Sequence, residues 1–291
     1  MKIFSFKFCR TKGSRVALFV LLLCLLAPFV CEAKSRPAAR STVAAKKRER
    51  SGSRNFYRDL AKKRSINRKD YPQLNNLEFA NFRAVATTGM GTGKLYRSSS
   101  PVNPWGNRNI IADNAARAAG IKTFVNLGDT EKRLKKYKGF ANSYYATQNI
   151  LMLNLNWKYN SAEFREKLAR GVSLMARSQP PFLVHCDMGK DRAGFVCAVL
   201  ECLMGASAEE VTADYLVSFR NYFDIQPHTK DYDFVANNEI RASLAMSFGV
   251  KSIDNIDLAA AAERYLLRIG VPAGDIDALR EKLGPDRHLS V

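Results

Sequence analysis

Residues 181–205, PFLVHCDMGKDRAGFVCAVLECLMG, constrain the fold of this chain more than any other stretch. Pro181 to His185 is a short apolar run with a β-branched residue, which predicts a buried strand. Ala193 to Met204 is apolar on every face except at Glu201, which predicts a helix packed on all sides, with Gly205 as its left-handed stop. Between the two lie Cys186, Asp187, Met188, Gly189, Lys190, Asp191 and Arg192. A loop that enters a helix N-terminus offers unpaired backbone N–H groups and the positive end of the helix dipole, and together these predict an anion site.

The spacing of Cys186 and Arg192 has a physical reason. A loop of that length can curl once around a tetrahedral oxyanion with its N–H groups inward, and Arg192 can clamp two oxygens with a planar fork that a lysine could not copy. The same cradle favours a thiolate, but a free cysteine is already a few per cent ionised near pH 7, so that gain is at most roughly 30-fold. Donors arranged around a transferring phosphoryl group are worth more, about 100-fold or more for each one lost. The loop is therefore a phosphate holder first and a thiol activator second.

The motif His185-Cys186-x-x-Gly189-Lys190-Asp191-Arg192 resembles the signature loop of the cysteine-dependent tyrosine phosphatase superfamily, and more narrowly the bacterial tyrosine/lipid phosphatases whose loop reads HCxxGKDR. The likeness extends to Asn81-Phe82-Arg83, to Leu95-Tyr96-Arg97-Ser98 with Pro101, to Ala208–Phe219, and to a closing helix pair around Tyr265-Leu266 and Ile276…Leu279-Arg280. It covers about residues 76 to 285. It implies a phosphocysteine mechanism with Cys186 as nucleophile, Arg192 and the loop residues 187–192 as phosphate ligands, His185 as a structural support of the loop and the thiolate, and no metal or organic cofactor.

Charge divides the chain. Residues 1–69 hold 19 Lys and Arg against three acidic residues, so +16 of the formal +19 sits there and +3 remains for residues 70–291. Lys2, Lys7, Arg10, Lys12 and Arg15 precede an apolar core from Val16 to Val30, and Cys31-Glu32-Ala33 places small residues for a cut after Ala33. This predicts an export signal over residues 1–33 and a periplasmic or secreted protein; the alternative is an inner-membrane anchor over residues 16–31. Residues 34–69, rich in Lys, Arg, Ser and Ala, read as a disordered basic linker that can tether the protein to an anionic membrane surface. A specific nucleic-acid partner is not expected, because aromatics are not interleaved with the charge and the rest is near neutral.

Residues 70–291 then form the phosphatase domain, a single α/β unit with a mainly parallel sheet flanked by helices. Thr87–Gly93 predicts a hairpin turn before a strand at Lys94–Arg97. Asp113 and Asn114 are expected to cap a short helix ending at Gly120, and Ile121–Leu127 and Ile150–Trp157 to be strands. Ser161 is expected to cap a helix closed off by Pro180-Pro181, and Ser207-x-x-Glu210 to form a capping box. Cys197 and Cys202 belong to the apolar helix and read as core.

Two departures from the family pattern bear on mechanism. Asp191 is the first candidate for general acid, by resemblance to the bacterial subgroup. Asp129 is the reserve, in an Asn126-Leu127-Gly128-Asp129 segment where the family has Asp and Arg at the first and third places. Ala193 stands where the family has a hydroxyl that assists the leaving thiolate, so release of phosphate from the cysteine is expected to be slow unless a hydroxyl such as that of Ser98 substitutes. The expected function is hydrolysis of phosphate monoesters, phosphotyrosine first and phosphoinositides second. The alternatives are a phosphate-binding pseudophosphatase with poor turnover and an inositol polyphosphate phosphatase.

Overall fold

The computed structural model describes residues 55–63 and 65–286. The expected export signal over residues 1–33 and residues 34–54 of the expected linker lie outside the described residues.

The sheet is ordered β1-β2-β5-β3-β4, from Arg83–Ala84, Leu95–Ser98, Phe182–His185, Thr123–Asn126 and Asn149–Met152. β1 and β2 form the antiparallel hairpin expected around Thr87–Gly93, and every other pairing is parallel. β5 is central, and its last residue, His185, is in register with Ser98 of β2 and Asn126 of β3. The loop that follows therefore emerges at the C-terminal edge of a parallel sheet, where such sheets hold ligands.

Alternation along the strands builds the two layers. Phe182 and Val184 of β5 join Val125 in the larger apolar cluster, together with α5 (Ala162–Arg177), α6 (Asp191–Met204), α10 (Leu258–Arg268) and α11 (Ala273–Leu283). Leu183 and Phe124 turn to the other face, against α3 (Asn109–Ala118) and Tyr145. Each fully buried apolar side chain contributes roughly 1.5–3 kcal/mol, so the central strand is held from both sides. α6 is buried from Arg192 to Leu203 and ends at Gly205 with φ 99°. α7 (Ala208–Phe223) begins with the expected capping box, Ser207 and Glu210 each bonding the other's backbone N–H. Ser161 caps α5 as expected.

Three expectations need correcting. Asp113 is no cap: α3 begins at Asn109, and Asp113 lies inside it, accepting from the N–H groups of Tyr144 (2.9 Å) and Tyr145 (2.8 Å). The strand expected over Ile150–Trp157 ends at Met152. The Leu153 and Leu155 N–H groups still reach the Asn126 and Leu127 carbonyls, but Asn154 turns left-handed at φ 45° between them. Finally, the linker expected to run to residue 69 gives way to a helix, α1, over residues 55–63. Phe56, Tyr57 and Leu60 form one apolar stripe on it, with Leu60 buried in the larger cluster. A helix of this length is marginal in water by itself, so docking of that stripe holds it.

Candidate active site

Gly189 shows how tightly the loop after β5 is wound. It takes φ 67°, and a Cβ there would lie 2.0 Å from the Ser98 carbonyl oxygen. Only glycine lets the loop pass this close to β2.

The outward carbonyls of the loop are held from behind. Arg97 is fully buried; its Nη2 donates to the Gly189 and Lys190 carbonyls, both at 3.0 Å, while its Nη1 donates to Asp214 at 2.6 Å. Asn81 Nδ2 (3.1 Å) and the Tyr222 hydroxyl (2.9 Å) donate to the Met188 carbonyl. Carbonyls fixed outward leave the opposite edge of those peptides to face the anion site, as a nest requires. Asp214 also accepts from Arg83 at 2.8 Å; burial pushes its carboxyl up, but the two guanidiniums outweigh that and bring it down to about 2. Arg97 fits the LYRS resemblance, yet its work on the loop needs a partner 117 residues away and is not readable from local sequence.

Cys186 is 2% exposed and lines a cleft of about 580 Å³ with Asp187, Met188, Lys190 and Asp191. Arg192, expected to clamp the anion, is 4% exposed and is not among the residues that line this cleft. Its Nη1 donates to the Leu127 and Leu155 carbonyls, both at 3.2 Å, and its Nη2 to Asp187 at 2.6 Å. Of the five N–H groups of the guanidinium three are thus engaged, and the buried Nε has no protein partner. The fork is more constrained than the sequence suggests: two of its donors remain for an anion. Trp157 lies over the guanidinium at 4.4 Å, a cation–π contact that fixes its plane.

His185 is neutral support. Its Nδ1 faces the Cys186 carbonyl at 3.4 Å, and its Nε2 faces the Tyr145 hydroxyl at 3.1 Å. With Nδ1 protonated, the hydroxyl donates to Nε2 and accepts from Asn126 Nδ2 at 2.9 Å. Burial pushes His185 down to about 4, against the opposing pull of Asp129 and the Cys186 carbonyl. The ring therefore steadies the backbone at Cys186 without adding a positive charge.

The candidate acids separate by position. Asp191 begins α6, lines the cleft and pairs with Lys190, whose ammonium lies 4.1 Å from the Phe219 ring centroid. Asp129 is 2% exposed and outside the cleft lining; Tyr137 (2.7 Å), Arg133 (3.3 Å) and Asn126 (3.2 Å) hold it. Asn126, the family's Asp position, accepts from the Gly128 and Asp129 N–H groups at 2.9 Å and so shapes that turn. Asp187, expected as a loop residue, lines the cleft, and its carboxylate is held by Arg192, by Asn103 (3.0 Å) and by Arg133 (3.6 Å), a set of partners that sequence reasoning missed. Ser98 Oγ donates to the Ser99 carbonyl at 2.6 Å, so it is not available to replace the hydroxyl missing at Ala193. No group of three or more metal-ligating side chains occurs among the described residues.

A cysteine that lines a cleft from a loop at the C-terminal edge of a parallel sheet, with the loop carbonyls held from behind and a buried arginine paired to the loop's Asp187, is the arrangement of a cysteine-dependent phosphatase. The profile of the tyrosine phosphatase family matches residues 75–284, and the chain belongs to that family. No curated protein matches it. Among solved structures it is similar to the core catalytic domain of the PP-IP phosphatase SIW14 from S. cerevisiae, in complex with citrate. That similarity is 20% identity over 53% of this chain and 83% of the other, with a TM-score of 0.35.

Proposed function

We propose that this protein hydrolyses aryl phosphate monoesters, phosphotyrosine above all, through a phosphocysteine on Cys186. The loop N–H groups and the free donors of Arg192 hold the phosphoryl group, Cys186 attacks phosphorus, and Asp191 protonates the leaving oxygen. Water then releases phosphate from sulfur. Asp187 orients Arg192.

The lining of the cleft carries this reading. Around Cys186 stand Tyr57, Trp105, Trp157, Phe219 and Phe223, with Leu60 and Met188 between them. Such rings favour a planar, apolar leaving group by stacking. The side-chain cations there already face carboxylates, Arg133 beside Asp129 and Asp187 and Lys190 beside Asp191. A polyphosphorylated inositol would find few unpaired charges, which disfavours it against phosphotyrosine. A phenol (pKa about 10) also leaves more readily than an alkyl alcohol, so an aryl ester asks less of the general acid.

Export by residues 1–33, with the basic segment that follows held against anionic lipid, remains our proposal for where the enzyme works. The test of substrate is a panel of phosphotyrosyl peptide, phosphoseryl peptide, phosphoinositides and inositol polyphosphates on the full chain. Phosphotyrosine should give the highest kcat/KM; a preference for the inositol esters would refute the reading. Binding without turnover on every member would identify a pseudophosphatase.

A further inference from the structure

The family match begins at residue 75, yet three residues upstream of it, Tyr57, Leu60 and Ala61 of α1, line the cleft that holds Cys186. α1 is fastened by contacts of its own. The Phe56 ring packs on Phe234 with centroids 4.5 Å apart, and Leu60 is 5% exposed in the larger apolar cluster. Tyr57 lies 6.1 Å from the same Phe234 ring. Its hydroxyl is buried beside Glu239, and burial first and that carboxylate second push the hydroxyl far up, so it stays neutral. Glu239 belongs to a π turn, Ala236–Arg241, a distortion frequent at functional sites. The other side of α1, with Arg58, Asp59, Lys62 and Lys63, is exposed.

This arrangement divides the labour within α1. Phe56 anchors the helix on α8 (Lys230–Val235) away from the cleft, whereas Tyr57 and Leu60 present apolar surface within it. Phe219 and Phe223 of α7 line the same cleft, so α1 extends an aromatic surface that the family segment alone would leave smaller. The carbonyls of the phosphate loop are held elsewhere, by Arg97, Asn81 and Tyr222.

We propose that α1 is the specificity wall of the catalytic cleft, with Tyr57 and Leu60 contacting the aromatic leaving group of the substrate. The proposal rests on the phosphotyrosine reading and goes beyond it by assigning selectivity to a helix outside the family segment. Loop-bound phosphate should be indifferent to α1; the ester's ring should not.

The experiment compares Phe56→Ala, Tyr57→Ala and Leu60→Ala with wild type in the full chain. It measures kcat and KM for phosphotyrosine and the inhibition constant of inorganic phosphate, which reports the loop alone and so also reports its correct folding. Tyr57→Ala and Leu60→Ala should each raise KM for phosphotyrosine about tenfold, the scale of losing one apolar contact in a substrate pocket. Phe56→Ala, which removes the anchor of the helix that carries both, should raise it at least as much. The phosphate constant should stay within about twofold in all three. Unchanged KM in the three variants would overturn the proposal, and so would KM and the phosphate constant rising together. Failure of the phosphotyrosine reading shows separately, in the substrate preference of the wild type.

Discussion

Behind the phosphate loop, the buried Arg97, paired with Asp214, holds its carbonyls through charged hydrogen bonds; in front of it, Trp105, Trp157, Phe219 and Phe223 line an open cleft with apolar rings. The first region fixes geometry. A guanidinium buried with a carboxylate and two carbonyls has one arrangement in which its donors are used, and that arrangement sets where the peptides of residues 188–190 point. In the proposed reading the second region sets preference, because apolar contact is broad and adjustable in shape. We propose that holding a phosphoryl group and choosing its ester rest on different residues of this molecule.

The largest loss is expected at Cys186. Cys186→Ser should lower phosphate release by about 10⁴-fold or more, since an alcohol in this cradle is not ionised, while binding of phosphate persists. Steady-state assay and titration with inorganic phosphate check both halves. Arg97→Met is next. It leaves the Gly189 and Lys190 carbonyls without their donor and Asp214 with Arg83 alone, and it should cost about 3–5 kcal/mol of stability in denaturant unfolding, with activity lost in parallel.

His185 gives a pH signature that belongs to the rear region. The folded state holds the ring down at about 4, whereas an unfolded histidine titrates near 6.5. Between those values the unfolded chain binds more protons, so stability falls as pH drops through the window, by up to about 3 kcal/mol. His185→Gln should flatten that part of the slope in urea unfolding measured at pH 7 and 4.5. Asp214 acts lower: its contribution is present above 3.8 and is lost as pH falls towards 2.

Ala193→Thr is the smallest effect and the sharpest. Ala193 is fully buried at the second place after Asp191 in α6, and Ser98 is engaged with the Ser99 carbonyl. A hydroxyl introduced there can donate to the sulfur as it leaves. Rapid-quench kinetics on an aryl phosphate should show a burst in wild type, with a smaller burst and steady turnover up to about 100-fold faster in the variant.

Legibility in the sequence followed the range of the interactions. The Cys186–Arg192 loop, the Gly205 stop and the Ser207–Glu210 capping box are local patterns whose chemistry is complete within a few residues. Asp113 misled because an Asp-Asn pair usually caps the helix beside it; here its acceptors serve N–H groups 31 and 32 residues away. α1 was hidden by its neighbours: a Lys- and Arg-rich window averages away the stripe of Phe56, Tyr57 and Leu60, and their partner Phe234 lies far along the chain. Asp191 is ranked first as general acid from the resemblance alone, whereas the pairing of Asp187 with Arg192 across the loop is visible only in the fold.

Trapping the covalent intermediate tests the mechanism most directly. The full chain is mixed with phosphotyrosine, quenched in acid within the first turnovers, and digested for peptide mass mapping. One phosphoryl group is expected on the peptide that holds Cys186, at high occupancy if Ala193 slows the second step as proposed, and none on the Cys186→Ser protein. Turnover of substrate with no phosphoryl group on Cys186 at any time, or with the group on another residue, would contradict it.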